Sequence, residues 1–397
     1  MKLVIFGDGF TYPAKEGVSQ HVMSQLFALT RHSTAIEPIL ILCDRGTMDI
    51  NQIKQFPWKT VLVPHEVYYD YLAMRTILTH IKPDILQSYG VYHGRLISSR
   101  YSLEYKIPFV MEHHDVESEL TDHLKLATNI SASIYHDQIE LCELASLNRT
   151  LSQHDYDLLS SVSPKRKNTF FNIPTIMDDI FDNIDISNKK ATDVLFIGNG
   201  AYPPNKKAVN FIRDELAPHL PHINFHIIGR LSNDIKPASN IITYGMVDDI
   251  KRITDLTSIG LAPLESGSGL KLKVLTYLSA GLPVLGTPLA YRGYTSHSLL
   301  SVSSLEDFAD SLNNMVANYD SSRALLARKL FLDTYSEEAN IDTLISMYES
   351  LTYRPYITAS NSRHIIRDDS KLPWLNEFRE MPFSPTNSVQ YINFASL

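Results

Sequence analysis

Short apolar runs alternate with longer amphipathic stretches along most of the chain, and no other feature limits its possible folds so tightly. In the first half the runs are LVIF (3–6), PILIL (38–42), DILQS (84–88) and IPFVM (107–111). Helical stretches such as Val18–Thr30 and Tyr68–His80 lie between them, and a longer one covers roughly 131–148. A strand with consecutive apolar residues must be covered on both faces, so the pattern predicts a parallel sheet between two helical layers. RTLSQHD then reads as a short strand entering a helix capped by Ser152.

The rhythm breaks at MDDIFDNIDISNKKAT (177–192), a polar and acidic candidate linker, and then restarts. DVLFIG (193–198), NFHIIG (224–229), NIITYG (240–245), SIGLAPL (258–264) and LPVLGT (282–287) are the second set of strands. Helices are expected near 205–216, 248–255, 268–280, 304–317, 320–333 and 336–351. At 397 residues the chain has room for two domains with a core each. The expected division is 1–178, then 190–335, with the 336–351 helix packing back on the first domain and 353–397 forming an extension of unassigned role. The fold class is therefore α/β, two Rossmann-like domains whose parallel sheets face an interdomain cleft. Open sheets of this kind bind ligands beyond the carboxyl ends of their strands.

Composition excludes several functions. A net charge of −8 with no basic stripe speaks against a nucleic-acid binder. Cys43 and Cys142 suit neither a disulfide framework nor zinc spacing. The opening MKLVIFGDGF is a first strand rather than a signal peptide, and no run of eighteen apolar residues occurs. A cytoplasmic location is expected, with peripheral membrane contact left open, so sequons at Asn129 and Asn148 are read as chance matches. Gly7-Asp8-Gly9 follows the first strand, but Tyr12 stands where a dinucleotide fingerprint needs Gly or Ala, and Pro13 blocks the helix start.

The most informative segment runs from Pro263 to Thr287. A strand ends at Pro263–Leu264, a turn containing Gly267, Ser268 and Gly269 follows, and a helix extends to Ala280, stopped by Gly281 and Pro283. Small residues leave the backbone N–H groups of a helix start open to an anion. Lys271 and Lys273 fall in the first turn, where cations oppose the helix dipole unless a phosphate reverses the local sign. Two solvated lysines beside a tight turn are the alternative.

This run resembles the signature of glycosyltransferase family four, the retaining nucleotide-sugar transferases with the two-domain glycosyltransferase-B fold. Further stretches match in order. They are Glu16-Gly17, Lys82-Pro83-Asp84, Lys106-Ile107-Pro108, His113-His114-Asp115-Val116-Glu117-Ser118, Ser152 with Asp155, Phe196 to Asn205, and Gly245-Met-Val-Asp248. Together they cover roughly residues 1–350.

The resemblance implies that a donor diphosphate rests on Gly267, Ser268, Gly269, Lys271 and Lys273. Lys206 and Arg230 are secondary phosphate contacts, and Gly198 opens the donor domain. Backbone near Gly245, Val247 and Asp248 would meet the nucleobase. His114 would face the donor sugar, with Lys271 and Lys273 assisting departure of the diphosphate. Glu16, Gly17 and His113 would lie on the acceptor side. A UDP-, GDP- or TDP-sugar is then a substrate rather than a resident cofactor. No metal is expected, because fixed donors and cations can stabilise the leaving group. Asp155-Tyr156-Asp157 spells a metal motif of the other glycosyltransferase fold, but it lies at a helix start in the wrong half.

The departure is a pair of glutamates, eight positions apart in the family, replaced here by Ser268 and Thr276. Thr276 offers one hydroxyl where a carboxylate would hold the ribose, and Glu265 is a partial substitute. The departure leaves three options: weaker donor affinity, an unusual donor or loss of catalysis. The expected activity is retaining transfer of a sugar to a glycan, lipid-linked or protein acceptor, in polysaccharide biosynthesis. A non-catalytic binding subunit and a nucleotide-sugar epimerase on the same fold are the alternatives.

Overall fold

Each apolar run becomes a parallel strand, and in the first sheet successive side chains enter different cores. In the first strand Leu3 and Ile5 join one hydrophobic cluster while Val4 and Phe6 join another, as the two-residue period of a strand requires. Helix Gly17–His32 covers the first face with Val22, Leu26 and Leu29, and helix Tyr71–Ile81 covers the second with Met74, Ile77 and Leu78. The computed structural model describes residues 1–8, 10, 14, 17–46, 49–117, 119, 128–181, 189–200, 202–230, 239–247, 249–267, 269–295, 297–353 and 389–391.

The strands are β1 (Lys2–Asp8), β2 (Glu37–Asp44), β3 (Lys59–Pro64), β4 (Ile85–Ser88), β5 (Phe109–His113), β6 (Leu147–Thr150), β7 (Phe170–Asn172), β8 (Asp193–Ile197), β9 (Asn224–Ile228), β10 (Ile241–Gly245), β11 (Ile259–Ala262), β12 (Val284–Gly286), β13 (Leu300–Val302) and β14 (Val389–Tyr391). They form two sheets, ordered β14-β3-β2-β1-β4-β5-β6-β7 and β10-β9-β8-β11-β12-β13. The paired strands are parallel. In both sheets the order reverses beside the first strand, at β1/β4 and at β8/β11, which is the switch point where doubly wound sheets hold ligands.

Four strands escape the sequence pattern. In β3 only three apolar residues stand between Thr60 and Pro64, while β7, β13 and β14 have three residues each. The last lies within the extension whose role the sequence left unassigned, and it pairs with β3. The Tyr68–His80 stretch is two helices, His65–Tyr68 and Tyr71–Ile81, the second capped by Asp70, whose carboxylate accepts from the Ala73 amide at 2.8 Å.

Contacts divide the chain into two units, one of residues 1–118, 127–176 and 341–397, the other of 119–126 and 177–340. Part of the expected linker packs into the second unit. Phe181 is buried in its core, and Arg328 holds Asp179. The helix Glu337–Glu349 ends in the first unit, where Ile341, Leu344, Met347 and Tyr348 enter the core. Both cysteines are free and buried, and Asn148 is fully buried, donating to the Cys142 carbonyl at 3.0 Å, so its sequon cannot carry a glycan. Among the described residues no helix is long and apolar enough to cross a membrane.

Candidate functional site

In the second unit, the strand β11 leads to a turn that only glycine can make easily. Gly267 and Gly269 have φ of +113° and +64°, a region that L side chains rarely enter. The helix that follows is Leu272–Ser279, later than the sequence suggests, so Lys271 is its N-cap and makes no side-chain cap. The delay has a local cause. The Lys271 ammonium donates to the Gly269 carbonyl at 2.7 Å, and the Lys271 carbonyl accepts from the Tyr294 hydroxyl at 2.9 Å.

Lys273, in the first turn, is half-buried. Its ammonium donates to Asn205 Oδ1 at 2.7 Å and sits 4.2 Å from the centre of the buried Phe196 ring. No carboxylate approaches it among these contacts. Loss of hydration, and then repulsion from Lys271, pull its pKa down to about 7. An anion at this point would stabilise a cation held in this way. Neighbouring backbone is closely set. Gly198 N–H donates to the Ile228 carbonyl (2.9 Å), Gly200 N–H to the Arg230 carbonyl (2.6 Å) and Gly229 N–H to the Gly245 carbonyl (2.8 Å). Gly229 has φ of +132°, and a Cβ there would overlap the Gly198 carbonyl. The carboxyl ends of β8, β9 and β10 are thereby tied into one rim.

In the first unit, β5 carries Glu112, His113 and His114 at its end. Alternation places Glu112 and His114 on one face. Glu112 is fully buried and accepts on Oε1 from His114 Nε2 (2.7 Å) and His21 Nε2 (2.8 Å). Its Oε2 accepts from Arg149 (2.6 Å) and Gln87 (3.1 Å). Arg149, also fully buried, further donates to Gln25 at 2.7 Å, and Tyr348 joins Gln25 to Gln87. Burial alone would raise the Glu112 pKa, but Arg149, with His21 and His114, outweighs it and holds the carboxyl well below its usual range. An ionised carboxylate only accepts, so both histidines present N–H at Nε2 and a neutral His114 keeps Nδ1 as an acceptor. Burial lowers the His21 pKa to about 4 against the pull of Glu112. The Tyr89 ring lies parallel to His114 at 4.9 Å.

The ligand atoms of His21, Glu112 and His114 lie within 4.8 Å of one another, a spacing a metal could use. The hydrogen-bond reading is better satisfied. Arg149 already neutralises Glu112, and His21 Nδ1 has no partner, whereas a metal-bound histidine almost always donates its second nitrogen.

Residues 191–318 match the sequence model of the family described as Glycosyl transferases group 1. The second unit carries a group 1 glycosyltransferase domain. No curated protein matches the chain in sequence. In structure the chain resembles HepE of Anabaena, solved in complex with UDP and glucose, with a TM-score of 0.68 at 12% identity, over 88% of this chain and 100% of that one. It also resembles a sucrose-phosphate synthase from Thermosynechococcus elongatus (TM-score 0.68, 12% identity, 88% of this chain and 99% of that one). A glycosyltransferase from Rickettsia africae matches with a TM-score of 0.66 at 11% identity, over 89% of this chain and 100% of that one. The fold is that of the two-domain glycosyltransferases.

Within the glycosyltransferase domain, the structure brings Gly267, Gly269, Lys271 and Lys273 together with the start of helix Pro203–Phe211. A Cβ on Gly267 would come within 3.9 Å of Pro204 and the Tyr202 hydroxyl. Gly198 lies against Asn205, and Gly245 (φ +66°) ends β10 with Val247 partly buried beyond it. Lys206 is exposed in the first turn of helix Pro203–Phe211, and Arg230 is exposed just beyond β9. Thr276 is nearly buried, and its hydroxyl donates to the Leu272 carbonyl at 3.2 Å. Ser268 and Asp248 lie outside the described residues, as does Glu16 in the first unit. Gly17 is exposed at the first helix start.

His113, expected on the acceptor side, is 1% exposed and bonded to Asn148 at 3.0 Å, because strand alternation turns it into the protein opposite His114. Asp155 is likewise buried in the first turn of the helix capped by Ser152. Sequence reasoning assigned no role to Asn205, Phe196, Glu112, His21 or Arg149. A signal existed for Glu112, two residues before His114, and for Arg149, a lone charge inside the strand LNRT. None existed for His21, which lies 91 positions from its partner.

Proposed function

We propose that this glycosyltransferase moves a sugar, with retention at the anomeric carbon, from a nucleoside-diphosphate donor without a metal ion. The observation that carries the reading is Lys273, a half-buried ammonium held by Asn205 beside two left-handed glycines. A diphosphate at that turn would meet Lys273, Lys271 and the uncapped amides of the helix. Negative charge grows on the diphosphate as the sugar leaves, and preorganised cations stabilise it most at that stage. UDP is the proposed nucleotide, since HepE was solved with UDP-glucose and an alpha-glucosyltransferase with UDP. His114, fixed by Glu112 through Nε2, offers its other ring nitrogen to a sugar hydroxyl. A glycan acceptor, and with it a place in polysaccharide assembly in the cytoplasm, completes the reading.

Thermal unfolding with UDP, GDP and TDP tests it. A nucleotide at a hundred times its dissociation constant should stabilise the protein by about 2.7 kcal/mol, and Lys273→Ala should remove that response while leaving the unliganded melting point nearly unchanged. Equal loss of both would make the lysine structural. A non-catalytic binding subunit is the second reading, favoured by the Thr276 hydroxyl, which is spent on its own helix. No response to any of the three nucleotides would select it.

A further inference from the structure

In the first unit one ring of directed hydrogen bonds runs from Arg149 back to Arg149, and its direction is set there. A guanidinium only donates. Arg149 Nη1 donates to Gln25 Oε1 at 2.7 Å, so the Gln25 amide must turn its NH2 away. That NH2 donates to the Tyr348 hydroxyl at 2.7 Å, whose own proton goes to Gln87 Oε1. Gln87 Nε2 then donates to Glu112 Oε2 at 3.1 Å, where Arg149 Nη1 also donates at 2.6 Å. The ring closes, and Glu112 Oε1 is left to accept from His21 and His114. Arg149 is itself fixed by the Ile173 and Pro174 carbonyls, at 3.3 and 3.1 Å.

Stability does not account for this arrangement. Arg149 and Glu112 are both fully buried, and an ion pair stripped of water on both sides is often matched or bettered by apolar side chains of similar volume. The network also ends at the surface, at one group. His21, Gln25, Gln87, Glu112, Arg149 and Tyr348 are each at most 2% exposed, whereas the His114 side chain is 14% exposed. Tyr89 stacks on the same ring at 4.9 Å and limits its tilt. A dry, charged network with a single wet histidine at its end holds that histidine in one orientation.

We infer that Arg149 is a positioning residue for sugar transfer, acting through Glu112 to fix the His114 ring with its proton on Nε2 and its other nitrogen open to a sugar hydroxyl. What His114 meets rests on the transfer reading. What holds it there is Arg149, which touches no substrate because it is sealed in the core. Tyr348 gives the last helix a share in that control, since its hydroxyl closes the ring between Gln25 and Gln87.

Nitrogen-15 NMR of the histidine rings in the full chain, at about pH 8.5 and so above the ordinary histidine range, tests the wild type directly. The His114 proton should be on Nε2. Glu112→Gln should move it: Arg149 and Gln87 would claim the oxygen of the new amide, its NH2 would face the histidines, and His114 would have to accept at Nε2. Turnover, read as UDP released from UDP-glucose, UDP-galactose or UDP-N-acetylglucosamine, should then fall by roughly a hundredfold, with stabilisation by UDP unchanged. Glu112→Gln combined with Arg149→Met removes both buried charges, so the pair keeps the fold even where the single change does not. It should show both His114 tautomers and lose about tenfold or more in turnover. A wild-type proton on Nδ1, an unmoved proton in Glu112→Gln, wild-type turnover in the pair, or loss of UDP stabilisation along with turnover would each overturn the inference. No UDP release by the wild type would sink the transfer reading instead, while the ring-nitrogen result would still decide whether Arg149 directs His114.

Discussion

Lys273 is a basic residue stripped of most of its water by the fold. Its pKa of about 7 arises because the folded chain removes water from the ammonium and places Lys271 nearby. An unfolded lysine titrates near 10.4, so between these values the unfolded chain binds more protons and stability rises with pH. Below about 7 the full cost of the charged form is present. A diphosphate reverses the preference and raises the pKa, so donor binding should take up a proton. Calorimetry of UDP binding at pH 8, in buffers of different ionisation enthalpy, should show an uptake approaching one proton, absent in Lys273→Met. Affinity should fall as pH rises above 7. A proton count of zero in the wild type would mean that the ammonium does not meet the nucleotide.

At the scale of the element, helix Leu272–Ser279 must be held at a fixed height above its sheet for the turn to work. Tyr277 does this, with its hydroxyl donating to the Leu261 carbonyl at 3.0 Å and accepting from the Ile197 N–H at 2.8 Å. The tyrosine ring fits only because β11 has Gly260 beneath it, where a Cβ would overlap the ring. Gly260→Ala should cost about 1–3 kcal/mol by overpacking, read as a shift of the denaturation midpoint. UDP affinity should fall with it, because Lys273 rides on the displaced helix. Unchanged UDP affinity in a destabilised variant would separate the tyrosine from the site.

For the whole molecule, the chain after residue 340 belongs to the unit that began it. Ile341, Leu344, Met347 and Tyr348 fill the core beneath β1, and Tyr348 also closes the polar network through Gln25 and Gln87. Burial of four such side chains contributes on the order of 6–12 kcal/mol, comparable to the entire stability of a domain. Removal of residues 341–397 should therefore leave the first unit unable to unfold cooperatively. Differential scanning calorimetry would show one lost transition, while the 177–340 unit keeps its own. An unaltered two-unit profile would mean that the first core is complete without the last helix.

The sequence by itself determined the two parallel sheets and the glycine turn with its lysines, since both depend on near neighbours along the chain. Apolar runs force a strand to be covered twice, and small residues followed by cations are a local pattern that suits an anion. Its limits are equally physical. The strands β3, β7 and β13 are too short or too polar to stand out by periodicity, and their place is set by the sheets they extend. Tertiary structure alone decided which side chains meet. It joined Glu112 to His21 across 91 positions and to Arg149 across 37, and Lys273 to Asn205 across 68. Such pairings follow from strand order and helix placement, which no local pattern encodes. Strand alternation could tell that only one of His113 and His114 is usable, but only the packed sheet showed that His113 faces inward.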